Sequence, residues 1–592
     1  MAEHPPHTPP AAPVRERLRE LARKRAEILA LPAEEALERI LAEPQAPALV
    51  HAIPESDFHL LVRDIGPEDA LPLLKLASDR QWDHVLDVEA WAGERLEVHR
   101  ATRWMDLLLE ADPGRFVRWF LKERLAFGEL YLFHNVEVRI REHDQDPSEF
   151  GEGFFTLDQV YYVRILDLPR IPGGSDLDED RRRRFLHRLL EKIAAEDHLV
   201  YQSVLLEAAH VIPAEAEEEE YRWRNVRLAE KGFVPFDEAI GVYQPVTPGQ
   251  LGRSRPKRVP RGEVEEGGGL LPVPAFPWRE LPEAAPFHRA LARIEPGEQR
   301  LYLQWEFANL CNRLIVADRR EVRSRDDLRE VVAKACGYLG IALETLAGKE
   351  GETAGPDPAR AAALLLRHPL VDLFRLGFGE ALRLKWRTEA WLASSWFARE
   401  GLKLSFWGER WMGVLGGILL KKPLFYDNYR TGLLYREFHS REDIAATETV
   451  LERIRRVDRL LARLSPRLGP AGGYRFLTWK NLLLTAWAAD RLGRMGEVLA
   501  PLPLSAFRPF FEGLFAPAAH APAEAPRRIP AARRSDFVSF LAAAAGIDEE
   551  EVRGTWGEIF EELFAELEAE YGRVAPENLD ARFVLLFLLS NA

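Results

Sequence analysis

The sequence predicts a mainly α-helical protein built from several domains. Three observations carry that expectation. Apolar residues recur three and four positions apart through segments rich in Arg, Ala, Leu and Glu, the period of an amphipathic helix. The 592 residues exceed what one compact core holds, and suggest about two to four domains. Strand-like patterning is concentrated between residues 136 and 165.

Taken in order, residues 1–13 are rich in His and Pro and are expected to form a disordered tail. Residues 14–127 read as a helical-repeat-like domain of short helices. A charged helix over 14–29 sets Leu18, Leu21, Ile28 and Leu29 inward, and Pro32 opens the next, since proline is tolerated in a first turn. Loop signals at Pro54, Gly66-Pro67 and Asp112-Pro-Gly114 punctuate the rest of this domain. Residues 128–170 predict a β-hairpin element. Val136 to Glu142 begins with apolar and charged residues in alternation, and residues 154–165 are rich in Phe, Tyr and Val. The link carries Asp144, Asp146, Ser148 and Glu149. Glu149 and Phe155 stand where a calcium loop needs Gly and Glu, so an acidic turn is expected instead.

Residues 171–243 predict a helical segment capped by Ser175. Glu207 and His210 form a single Glu-x-x-His. A di-iron bundle needs two, so no metal site is expected. Residues 244–285 are dominated by Pro, Gly and Arg and read as a linker or extended arm. Its basic cluster, Arg253, Arg255, Lys257, Arg258 and Arg261, suits an acidic partner or the neutralisation of the protein's own acidic surface. The second use is favoured. Residues 286–592 form a Trp-rich carboxy-terminal helical domain. Ser535-Asp536 is expected to cap a late helix, residues 550–571 are amphipathic, and residues 583–589 dock at the end.

The centre of that last domain holds the candidate site. Residues 376–399 read as one helix carrying Trp386, Trp391 and Trp396. Steps of five turn about 140° around a helix, so the indoles point to different sides, as in a buried helix rather than a stacking cage. A polar strip of Glu380, Arg383, Arg387 and Ser394 is read as solvated, with local ion pairs. Gly413 with Gly416 or Gly417 suits the close approach of another helix. The apolar run 412–420 is too short to cross a membrane and stops at Lys421-Lys-Pro423. The next loop mixes rings with charges. Trp407, Glu409, Arg410, Lys421, Lys422, Tyr426, Asp427, Asn428 and Arg430 are therefore the candidate ligand-binding residues, on the ground that loops on rigid scaffolds carry function.

Composition narrows the classes. A net charge of −14 speaks against a general nucleic-acid binder. Two cysteines build no disulfide framework, and no secretory signal or membrane span is evident, so a cytoplasmic setting is expected. Phosphate-binding glycine loops, serine elbows and zinc motifs are missing, so no catalytic residue and no cofactor is assigned.

Two resemblances add to this. Ile53-Pro-Glu-Ser-Asp-Phe58, Gly66-Pro-Glu-Asp-Ala-Leu71 and Trp82-Asp-His-Val-Leu-Asp87 resemble the amino-terminal cytosolic domain of MgtE-type magnesium transporters. That resemblance implies a superhelix of short helices. Without the family's membrane domain it implies no magnesium transport. Gly151 to Asp158, Glu230 to Ala239 and Ser405 to Glu409 resemble an uncharacterised family of large soluble bacterial proteins, which brings no activity. The expected function is a cytoplasmic, non-enzymatic helical scaffold with an unidentified protein partner. The alternative is a small-ligand binder or enzyme using residues 407–430.

Overall fold

The computed structural model describes residues 12–143, 145–168, 179–259, 274–348, 355–468, 476–496, 499–516 and 526–590. Asp144, Ser175 and Arg261, and most of the amino-terminal tail, lie outside the described residues. The described residues are 67% helical, with a few short strand pairs, as the periodicity predicts. It divides into two compact units, Met1–Leu376 and Gly377–Ala592.

In the first unit, short helices follow one another: Ala33–Leu41, Ala46–His51, Glu55–Ile65, Leu71–Leu76, Asp79–Glu89, Val98–Ala111, Pro113–Glu123 and Leu125–Asn135. Local chemistry sets their ends. Ser78 and Gln81 form a capping box at Asp79–Glu89. Glu97 and Asp112 each accept a backbone N–H at the next two helix starts. Packing does the rest. Trp82 is fully buried among Phe116 and Trp119, and its indole N–H donates to Leu74 O at 2.9 Å. Buried Gln81 ties two helices together by donating to Val50 O and Ile53 O.

The expected β element is a three-stranded antiparallel sheet. Tyr161–Ile165 sits centrally between Val136–Ile140 and Phe154–Thr156. Glu298–Asp318 and Arg325–Ala347 are the longest helices lying wholly within this unit. The described part of the Pro/Gly/Arg-rich stretch is fastened to the unit. Lys257 pairs with Glu306, the Lys257 N–H donates to Arg367 O, and buried Asp57 accepts from Ala275 N at 2.7 Å and Phe276 N at 3.1 Å.

The helix expected over 376–399 runs instead from Leu370 to Ser394, beginning in the first unit, and Trp396–Arg399 follows in the second unit as a separate turn. Ser395 caps that turn, and the Asp458 carboxylate accepts from Trp396 N and Phe397 N. Those donors are thereby withdrawn from a continuous helix. Trp386 is 48% exposed, against the expectation of a helix buried all round. The polar strip makes one local pair, Arg383 with Glu380, whereas Arg387 pairs with Glu448 of another helix, Arg441–Leu468.

The glycines of helix Glu409–Ile418 receive aromatic rings rather than another helix. A Cβ on Gly413 would run into the Tyr426 ring, and one on Gly417 into Tyr435 and Leu424 O. Both tyrosines belong to a two-stranded ladder, Phe425–Tyr426 with Tyr435–Arg436. Late in the chain, the helix begins at Ala531 after Pro530, so Ser535 and Asp536 are interior residues. Asp536 accepts from Trp487 Nε1 instead. Leu589–Ser590 docks as a parallel strand on Leu502–Pro503. Among the described residues no helix is long and apolar enough to cross a membrane.

Candidate functional site

A large hollow lies in the first unit, a cavity of about 640 Å³. Residues far apart in sequence build it. Asp57, His59 and Arg63 come from Glu55–Ile65, and His84 and Glu89 from Asp79–Glu89. Trp91, Glu94 and Arg95 come from a tight hairpin, and Tyr221, Arg224 and Leu228 from helix Pro213–Ala229. Phe233, Phe236 and Val316 add apolar wall. Gly93 turns the hairpin at φ +66°, a conformation that suits glycine.

Seven arginines and four carboxylates line this cavity. The carboxylates are largely engaged. Glu89 is buried and takes three donors: His59 Nε2 and Arg63 Nε, each at 2.6 Å, and Arg63 Nη2. Burial alone would raise its carboxyl. The hydrogen bonds and charges of His59 and Arg63 outweigh burial and bring it down to about 2. Asp57 goes the other way. Its burial outweighs two backbone donors and the charges of Arg25 and Arg279, and pushes it up to about 6. Glu321 pairs with Arg100 and Arg323.

Three arginines have no carboxylate partner among the described residues: Arg95, Arg224 and Arg319. Among the described residues the Arg224 guanidinium donates only to Asp87 O and Asn225 Oδ1, and it lies 5.8 Å from the centres of both the Trp91 and Tyr221 rings. Arg319 closes helix Glu298–Asp318 in the left-handed region, φ +50°, and lies 4.4 Å over Phe236.

His84 stands edge-on to His59, ring centres 6.0 Å apart. Burial, then the charges of Lys231, His59 and Arg224, hold it well below the usual imidazole range, so it is neutral at pH 7. Its Nδ1 is buried without a hydrogen-bond partner. Behind the wall, Asp87 accepts from Arg124 Nη1 at 3.0 Å and from Arg227 Nε and Nη2 at 2.8 and 2.9 Å, which fixes helix Asp79–Glu89 in place. No group of three or more His, Cys, Asp or Glu suited to a metal occurs among the described residues.

The site expected at 407–430 is in part brought together. Glu409, Arg410, Tyr426 and Asn428 border a hollow of about 400 Å³ with Thr478, Lys480 and Glu566. Trp407, Trp411 and Trp479 line a smaller one of about 220 Å³. Trp407 itself is 1% exposed, packed against Trp391, Phe397 and Trp411. Asp427 is buried and holds its own turn, accepting from Thr431 N, Thr431 Oγ1 and Arg436 Nε. Lys421, Lys422 and Arg430 line neither hollow.

A family model described as a family of unknown function, DUF6178, matches residues 14–590. The chain belongs to the DUF6178 family. No curated protein and no solved structure matches it. The residues that shape this DUF6178 cavity carry no motif. The available signal was polar side chains in apolar helices: His59 and Arg63 one turn apart in Phe58-His-Leu-Leu-Val-Arg63, and His84 in Trp82-Asp-His-Val-Leu86.

Proposed function

We propose that this DUF6178 member binds a small organic anion with an apolar or aromatic body in the cavity of its first unit. One observation carries the reading. An acidic chain, net charge −14, lines this cavity with seven arginines against four carboxylates, and three of those arginines have no carboxylate partner among the described residues. Partly buried guanidinium groups favour carboxylate or phosphate, and Trp91, Phe233 and Phe236 suit a flat apolar body. The test is thermal denaturation with phosphate, citrate, benzoate and a nucleoside monophosphate. A ligand at a hundred times its Kd stabilises by about 2.7 kcal/mol. Arg224→Gln is expected to abolish the shift. Absence of any shift at millimolar concentrations, for all four, would overturn the reading.

A protein partner is the second reading, and exposed apolar side chains support it. Leu199, Ile212, Trp223 and Val226 are all more than half exposed, and three of them lie on neighbouring helices, His198–His210 and Pro213–Ala229. The likeness of residues 53–87 to MgtE-type domains and a cytoplasmic setting belong to this scaffold reading. Trp223→Glu with Val226→Glu is then expected to remove a co-purifying protein. Unchanged capture would count against it. The hollow beside Glu409, Arg410, Tyr426 and Asn428 keeps the second unit as an alternative ligand site, tested by Arg410→Gln in the same thermal assay.

A further inference from the structure

His59 is held in the way a base is held. Its Nε2 lies 2.6 Å from Glu89 Oε1. Both Glu89 oxygens also accept from Arg63, which favours the ionised carboxylate. An ionised carboxylate has no proton to give, so the proton between the two residues sits on Nε2. In the neutral ring this leaves the lone pair on Nδ1, the arrangement in which an imidazole accepts protons from a substrate. His59 Nδ1 has no hydrogen-bond partner among the described residues. It is not sealed off either, and His59 lines the cavity. The neighbouring His84 is neutral and adds no charge against an imidazolium forming on His59, while the Glu89 carboxylate, which also takes Arg63, faces the ring at Nε2. Arg224 lines the same cavity and has no carboxylate partner among the described residues.

We propose that His59 is a general base: its Nδ1 takes a proton from the molecule bound in the cavity, its Nε2 keeps its bond to Glu89, and Arg224 attracts the negative charge left behind. The bond from the proton to its carbon, nitrogen or oxygen breaks, and the electron pair stays on the bound molecule. The proton ends on Nδ1, giving an imidazolium paired with Glu89. No oxidant, reductant or metal enters the balance. The substrate class is a small molecule with an acidic proton next to an electron-withdrawing group. This inference rests on the cavity binding a ligand, as proposed above.

The probe is 5-nitrobenzisoxazole, a flat heteroaromatic that a base opens. The base removes the C3 proton, the C–H electron pair becomes the third bond of a nitrile, and the N–O bond breaks to release a coloured phenolate. Equilibrium dialysis reads binding separately from turnover. The wild-type chain is expected to open the probe about 100-fold or more faster than buffer, the scale of a positioned general base. His59→Ala is expected to lose that acceleration, and added imidazole to restore part of it, which a purely structural histidine would not permit. His59→Asn serves if the alanine variant misfolds, and Glu89→Gln is expected to slow the reaction. Binding of the probe with no acceleration, or undiminished acceleration in both His59 variants, overturns the general base and leaves the cavity reading standing. Exclusion of the probe, with phosphate and citrate also failing to bind, sinks the cavity reading and the general base together.

Discussion

Glu89→Gln tests whether the charges at the cavity wall hold the first unit together. The Glu89 carboxylate is 6% exposed and takes three donors from His59 and Arg63. Its carboxyl falls from 4.5 to about 2. At about 1.4 kcal/mol per unit, the ionised form contributes about 3 kcal/mol to folding. The sign is set by the direction. A folded-state value below the unfolded one gives stability that is complete above pH 4.5 and is lost as pH falls towards 2. Glutamine keeps the shape and removes the charge. The expected loss is about 3 kcal/mol at pH 7, shrinking to about half of that at pH 3. Urea unfolding, followed by hydrogen exchange of the peptide spanning Asp79–Glu89, reads this unit directly. A deficit below about 1 kcal/mol at pH 7, or one of equal size at both pH values, would refute the ionic account.

Three further outcomes are expected. Asp57 is pushed up to about 6, above its ordinary 3.8, so its contribution opposes folding at neutral pH and eases as pH falls from 6 to 4; exchange protection of residues 274–279 is expected to rise over that interval and to stay flat in Asp57→Asn. Gly413→Ala drives a methyl into the Tyr426 ring and is expected to cost about 1–3 kcal/mol, with proteolysis opening the chain near residues 425–436 and Tyr426→Ala restoring part of the loss. Cys311 and Cys336 are buried and burial pushes both thiols up, so neither is expected to react with a disulfide reagent at pH 8 until urea unfolds the chain.

The helices were legible because their signals are local. Glu298–Asp318 carries Leu303, Phe307, Leu310 and Leu314 on a buried face, and those spacings survive in any context. The pairing of Val136–Ile140 with Tyr161–Ile165 is legible from alternation and aromatic content, but the split of residues 154–165 into two paired strands, which makes a three-stranded sheet of the expected hairpin, is not. Where reading failed, a distant partner decided. The break after Ser394 depends on Asp458, which captures the Trp396 and Phe397 amides from about sixty positions later in the chain. The small faces of Gly413 and Gly417 are filled by Tyr426 and Tyr435, and nothing in Gly-x-x-x-Gly spacing separates a ring from a helix. Trp407 is 1% exposed and packs against Trp391, Phe397 and Trp411 while also bordering the smaller hollow of the second unit, so tryptophan density alone does not separate core from wall. The cavity escaped notice because its walls come from stretches between Ser56 and Leu328, each with an ordinary share of charge.

The bonds that close the first unit span long reaches of chain. Asp57 waits for Ala275 and Phe276, which lie 218 and 219 positions later, and the Asp64–Arg325 pair spans 261 positions. At ordinary ribosomal speeds of 5–20 residues per second, the Glu55–Ile65 helix emerges about 10–45 s before Ala275 exists. During that interval a newborn chain displays half a cavity with Asp57 and Asp64 unanswered, a natural handle for a chaperone. Slowed translation over residues 260–325 would lengthen that exposure, and would lower the yield of folded protein even though the sequence is unchanged.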